Sequence, residues 1–292
     1  MTTSLTQILR WSTISDRILI LGAGRLARSL VKRLPVGHEV ALGRRSFFKE
    51  GWSGVTTFST FGEPERLRLI LKSFRPKVVV ICWAPSKGGD HHETYVGGMK
   101  SFLEAVAEGA ELEQVVYTSS SAVVEGGGGD WVSGDGSLPI PEGDRAKNLW
   151  EAEERLRSWG EKSKIPTLTL RLSGLYGNGV IPGKRLIEKG GPIGKSADGW
   201  VNLVHIDDAA GAALIGIDQR IEGQWVVSSG PVQREKLYGA TAASLGLPEP
   251  KWSQLSGDLG KRLKVSGYEA LSGFDSEWKS PLEWVISQKK VL

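Results

Sequence analysis

The stretch "RILILGAGRLARSLVKRL" (17–34) decides the fold. A short apolar run enters a glycine turn, and a helix follows whose Leu26, Leu30 and Leu34 share one face. Gly22, Gly24 and Ala27 stand in a G-x-G-x-x-A pattern. The first glycine permits a tight turn, the second lets backbone approach a pyrophosphate, and the small third residue lets helix pack on strand. The helix then offers free N–H groups and a positive dipole end to phosphates. Gly22, Gly24, Arg25, Leu26 and Ala27 are therefore candidate nucleotide contacts.

Outward from that turn, strand and helix alternate. "HEVALGRR" (38–45) and "VTTFS" (55–59) read as strands, "PERLRLILKSF" (64–74) as a helix, and "KVVVICWA" (77–84) as a long strand. "ETYVGGMKSFLEAVAEG" (93–109) reads as a helix weakened by its Gly97–Gly98 pair, and "LEQVVYTSSS" (112–121) as the next strand. Continuous apolar strands between amphipathic helices predict a parallel sheet covered on both faces, a doubly wound Rossmann α/β fold. The predicted organisation is a nucleotide-binding domain over 1–172 with a returning segment at 202–228. A smaller substrate-side lobe is built from 173–201 and 229–292, its tail a helical cap.

The end of the second strand selects the cofactor. A carboxylate there would bond a ribose 2′-OH, but the strand ends Arg44-Arg45, whose guanidinium forks suit a 2′-phosphate. The expected cofactor is NADP(H), with Trp83, Ala84 and Ser119 lining its site from the ends of the neighbouring strands.

Composition narrows the classes. The chain of 292 residues is 40% hydrophobic and 24% charged, as expected of a globular protein, and no apolar run is long enough to span a membrane. Its net charge of +4 is spread without a dense basic run, which argues against a nucleic-acid partner. A single cysteine, Cys82, suits a reducing, cytoplasmic setting, although residues 1–15 are rich in Ser/Thr and lack acids in the manner of a targeting remnant. The expected partner is a small-molecule substrate, with a homodimer possible. The eleven tryptophans, Trp11 among them, are read mostly as core filling.

Several ordered motifs resemble the extended short-chain dehydrogenase/reductase superfamily, in an atypical form. They are "VVYTSSSAVVEGGGGDWV" (115–132), "RLSGLYG" (171–177), "VNLVHIDDAA" (201–210) and "GPVQREKLYGATAASLGLP" (230–248). The resemblance implies a cofactor-dependent redox or epimerisation reaction with a Ser/Tyr/Lys set. Ser121 matches the family's serine. In the helix "RAKNLWEAEERL" (145–156), the tyrosine and lysine positions hold Arg145 and Leu149. Arginine is always protonated, so Arg145 can stabilise an oxyanion but is a poor acid. The usual relay is absent.

Replacement proton donors are sought in "GGDHHETY" (88–95): His91, His92 and Tyr95. Solvation of the histidines and packing of the tyrosine are the plain alternatives. Glu125 and Asp130 flank the glycine loop as further candidates. His205, Asp207, Asp208, Arg171 and Tyr176 are read as architectural, with one acid capping the helix that follows His205. The leading expectation is an atypical NADPH-dependent reductase of a C=C, C=N or C=O group. A catalytically silent NADP(H)-binding sensor or assembly factor, and a non-redox isomerase or cyclase, are the alternatives.

Overall fold

The computed structural model describes residues 17–45, 52, 54–59, 63–106, 111–253, 257–264 and 267–288. Trp11 and the acid-poor N-terminal stretch lie outside them.

Seven strands form one parallel sheet: β1 (Arg17–Leu21), β2 (Glu39–Arg44), β3 (Thr56–Ser59), β4 (Val78–Ile81), β5 (Gln114–Ser120), β7 (Thr167–Leu172) and β10 (Gly223–Val227). Their order is β10-β7-β5-β4-β1-β2-β3, so the winding reverses between β1 and β4. A sheet wound both ways opens a crevice at that point, beyond the carboxyl ends of its strands. Side chains alternate between faces. Ile18 and Ile20 join one buried cluster, and Leu19 and Leu21 the other.

On the first face lie α1 (Arg25–Arg33) and α6 (Ile206–Asp218), packed on each other. On the second lie α2 (Pro64–Phe74), α3 (Gly98–Val106) and α4 (Asp144–Ser163), the last burying Leu149, Ala152 and Leu156. The expected α/β doubly wound architecture is therefore present, with Gly223–Val227 of the returning segment supplying the edge strand β10.

The region read as a substrate-side lobe holds strands as well as helices. Strands β8 (Gly174–Tyr176), β9 (Trp200–His205) and β11 (Pro231–Gln233) form a second sheet, and α5 (Lys184–Glu188), α7 (Arg234–Leu245), α8 (Gly267–Ser272) and α9 (Pro281–Ser287) accompany it. Strand β12 (Arg262–Leu263) pairs in parallel with β6 (Trp131–Val132). This ribbon ties the C-terminal chain to the loop that leaves β5.

Two details of local structure differ from the sequence reading. The Gly97–Gly98 pair does not merely weaken a helix. Residues Glu93–Gly97 form a π-helical turn, in which Gly98 N–H reaches back five residues to the Glu93 carbonyl, and α3 continues from it. A methyl group at Gly98 would stand 3.1 Å from the Trp83 ring, so glycine lets α3 close over that indole. The helix after His205 is capped by His205 itself, whose Nδ1 accepts from Asp207 N–H at 3.2 Å. Both acids are used elsewhere. Asp207 accepts from Ser29 at 2.6 Å and pairs with Arg33, joining α6 to α1. Asp208 receives the Ser276 hydroxyl and the backbone N–H groups of Glu277 and Trp278.

Candidate nucleotide and catalytic site

The glycine turn lies at the crevice between β1 and β4. Gly22 has φ +117°, and a Cβ there would come 2.5 Å from the Cys82 carbonyl oxygen. Its N–H donates to Gly43 O at 2.7 Å, which sets the turn against the end of β2. Gly24 differs, having nothing within 4 Å of the place its Cβ would take. It precedes α1 without a side-chain cap, and the first turn of α1 carries no acid. An uncapped helix end facing open space fits a phosphate. Leu26 and Ala27 are buried under it, whereas Arg25 is exposed.

Arg44 ends β2 half-buried and Arg45 follows, exposed. Arg45 helps line a groove beyond the sheet edge with Leu67, Trp83, Ala84, Thr94 and Gly98. Glu63 also borders this groove, and Arg66 holds its carboxylate at 2.5 Å. A bare turn, an uncapped helix end and paired arginines thus stand near the carboxyl ends of β1 and β2, the arrangement that suits a dinucleotide. Arg45 also borders an indole-walled groove that carries Glu63 and Glu93 on its rim.

Ser119 points elsewhere. Its hydroxyl donates inward to Glu153 at 2.5 Å, and Glu153 receives two bonds from Arg171 at 2.7 and 2.9 Å. Arg171 also donates to the carbonyls of Gly134 and Gly136. Both charged side chains are 0% exposed. Burial pushes the Glu153 carboxyl up, and Arg171 and Ser119 pull it back. Ser119 thus belongs to a buried network that fastens β5, β7, α4 and the loop after β6.

Ser121 opens the short turn Ser121–Val123 that follows β5. Its carbonyl accepts from Lys261 Nζ at 3.0 Å, and the same ammonium bonds the Val124 carbonyl. Lys261, unmarked in the sequence reading, is partly desolvated, which lowers its pKa. Beside it, the Arg262 guanidinium lies between the Trp131 and Trp200 rings at 5.0 and 5.1 Å. Glu125 is engaged by the Glu142 N–H, and Asp130 is exposed.

Of the candidate catalytic residues, Tyr95 and Arg145 lie near each other. The π-helical turn directs Tyr95 inward, leaving it 6% exposed, close enough to Arg145 at the start of α4 for the guanidinium charge to act on its phenol. Burial raises this phenol above its ordinary 10.0, while the charge and hydrogen bond of Arg145 act in the opposite sense. His91 lies beside it, ring centroids 5.9 Å apart, with a buried Nδ1 that makes no hydrogen bond among the described residues. His92 is exposed, its backbone N–H held by Asp90 at 2.7 Å. Both the π-helical turn and the Ser121 turn pack on α4.

Glu153 is legible in part as an acid inside the apolar stripe of Leu149, Ala152 and Leu156. Lys261 carries no sequence signal. Among the described residues, no group of three or more His, Cys, Asp or Glu side chains could hold a metal ion. No helix there is long and apolar enough to cross a membrane.

No protein-family model matches the chain. Protein YeeZ of Escherichia coli (strain K12) is 27% identical over 209 residues, 70% of this chain and 72% of its own. A structure from Methylobacillus flagellatus, described as an NAD-dependent epimerase/dehydratase, superposes with a TM-score of 0.78 at 27% identity, covering 95% of this chain and 99% of that one. Bordetella bronchiseptica WbmH, solved with NAD+, gives 0.77 at 18% identity over 95% and 98%. The UDP-glucose 4-epimerase of Thermus thermophilus, solved with NAD, gives 0.71 at 20% over 94% and 99%. The chain thus shares its Rossmann α/β fold with structures that include an NAD-dependent epimerase/dehydratase and enzymes solved with NAD.

Proposed function

We propose that the chain is an NADP(H)-dependent reductase of a small molecule bearing a C=O, C=N or activated C=C group. The observation that carries this reading is the nearness of Tyr95 to Arg145. By the sequence reading, Arg145 stands where the resembling family has its tyrosine, and a tyrosine from the neighbouring helix lies within the influence of its charge. A chain that only stored a nucleotide would need no such pair.

In the reaction, bound NADPH supplies the hydride. Tyr95 Oη gives its proton to the acceptor, and the Arg145 guanidinium faces the phenolate left behind. His91 returns a proton from the solvent side. Ser121 orients the substrate oxygen or nitrogen. Arg44 and Arg45 favour the 2′-phosphate over a free ribose hydroxyl. The single cysteine and dispersed charge support a cytoplasmic enzyme of small-molecule metabolism.

Two measurements test it. Nicotinamide fluorescence titrations should give NADPH affinity at least about tenfold above NADH, and Arg44→Ala/Arg45→Ala should erase that difference. Equal affinity for both nucleotides in the wild type overturns the NADP(H) assignment. A panel of carbonyl, imine and enone probes should then show NADPH oxidation that falls about a hundredfold or more in Tyr95→Phe, within the range for loss of a general acid. Turnover unchanged in that variant removes Tyr95 from the chemistry. The pH profile carries a sign of its own. The donor must be protonated and its pKa lies above 10.0, so turnover should hold as pH rises through 9 and fall only beyond the ordinary phenol range.

A further inference from the structure

Two adjacent residues of the C-terminal chain hold the two ends of the glycine-rich loop that leaves β5. Residues 125–128 of that loop are exposed. At its start, the Lys261 ammonium donates to the carbonyls of Ser121 and Val124. At its end, Arg262 Nε donates to Gly129 O at 2.5 Å, and the Arg262 backbone N–H donates to Asp130 O at 2.7 Å. The Arg262 guanidinium lies between the Trp131 and Trp200 rings, which fixes β12 beside β6.

Lys261 is also braced from β9. Asn202 Nδ2 donates to Lys261 O at 2.9 Å, and Asn202 Oδ1 accepts from Leu263 N–H at 2.9 Å. One side-chain amide thus holds the backbone at 261 and 263. The ammonium is therefore delivered to the turn after β5 from a rigid segment. There it meets the Ser121 carbonyl oxygen at 3.0 Å, an oxygen that otherwise accepts only the long 3.2 Å bond from Val124 N–H among the described residues. A charged donor bonds about twice as strongly as a neutral one, so Lys261 is the stronger of the two ties. Glu125, next along the loop, favours the charged form of the lysine. With the Ser121 and Val124 carbonyls drawn to one cation, the peptide after Ser121 is held in one plane, which limits where the Ser121 side chain can stand.

We propose that Lys261 is a positioning residue for Ser121: by closing the turn after β5, it presents the Ser121 hydroxyl to the oxygen or nitrogen of the substrate. This inference rests on the reductase reading above. Without the ammonium, two carbonyls lose their donor and the turn loosens. A displacement on the order of 1 Å at a group that orients a substrate can cost about a hundredfold in rate.

The test compares Lys261→Met with wild type in the full chain. Hydrogen exchange over residues 121–126 should run about tenfold faster in the variant, while β1 and α1 keep their protection. With whichever carbonyl, imine or enone probe the wild type turns over, kcat should fall about tenfold or more, and KM for the probe and NADPH affinity should each stay within about threefold. Lys261→Arg, which keeps a charged donor, should recover most of both losses. In a Ser121→Ala background, Lys261→Met should cost no more than about a further twofold, because its effect passes through the hydroxyl already removed. Losses that multiply in the double variant overturn the inference, since the lysine would then act without Ser121. Unchanged exchange over 121–126, or a wild-type kcat in Lys261→Met, overturns it as well and leaves the reductase reading standing. If Lys261→Met does not fold, Lys261→Gln, which keeps an uncharged N–H donor, carries the same comparisons. A wild type that oxidises NADPH with none of the probes overturns the reductase reading itself, whereas the part of Lys261 in the turn is read by exchange alone.

Discussion

Arg171→Ala should lower the unfolding free energy by about 3–5 kcal/mol, the cost of leaving one member of a buried ion pair without its partner. The arginine and Glu153 are both fully buried, and Arg171 also satisfies the carbonyls of Gly134 and Gly136. Its removal strands a carboxylate and two loop carbonyls together. For a chain of this size the corresponding fall in Tm is on the order of 10 °C, from roughly 2–4 °C per kcal/mol. Calorimetry on the variant checks it, and a fall of under about 1 kcal/mol would show that the pair is not the fastening described. The double variant Arg171→Met/Glu153→Leu should lose less than Arg171→Ala, because it removes both charges together.

The pH dependence of Arg171→Ala has a definite sign. Burial already pushes Glu153 upward, and Arg171 is the largest influence pulling it back. Without the arginine, the folded state binds a proton that the unfolded state releases at lower pH. Stability then declines as pH rises from the unfolded carboxylate range through the raised folded value. The deficit relative to wild type should accordingly be smaller at pH 5 than at pH 8. A deficit independent of pH would mean that the carboxylate finds another cation or water when Arg171 is gone.

This network marks where the sequence can and cannot be read. The glycine turn is legible because its demands are local: Gly22 and Gly24 serve a strand-to-helix turn that neighbours in the chain define. The sheet itself follows from continuous apolar runs such as 78–82. Arg171 reads as architectural, and is, but its partner lies eighteen residues earlier on another element. Ser119 looks like a cofactor contact because polar residues end β5; the pleat turns it to the α4 side, where Glu153 waits. Tyr95 and Arg145 are separate candidates in the sequence, and only the π-helical turn and the packing of α4 reveal that they lie near each other. Residue preference assigns the cap of α6 to an acid, yet both acids are claimed by α1 and by residues 276–278, leaving His205 the nearest acceptor. Lys261 and its partners Ser121 and Val124 are far apart in the chain, and no period or motif announces such contacts.

Gly22→Ala and Gly24→Ala should separate what the glycine turn does for the fold from what it does for a nucleotide. At Gly22 a methyl group meets the Cys82 carbonyl oxygen at 2.5 Å, and the backbone at φ +117° is one that alanine rarely adopts. Relief requires β1 and β4 to part where Cys82 N–H bonds Leu21 O at 2.8 Å. Gly22→Ala should therefore cost about 1–3 kcal/mol of stability from backbone strain alone, and should weaken NADPH as well. At Gly24 the backbone is extended and nothing stands within 4 Å, so Gly24→Ala should cost only about 0.5–1 kcal/mol at the cap position, less than Gly22→Ala, and melt within a few degrees of wild type. Its methyl group nevertheless projects into the open space before α1, where a pyrophosphate has to approach the backbone. NADPH affinity in Gly24→Ala should fall about tenfold or more with the fold intact. That combination, a near-normal melt with weakened binding, assigns the space to the ligand. Wild-type affinity in Gly24→Ala would instead place the pyrophosphate away from this turn, and the open space would need another explanation.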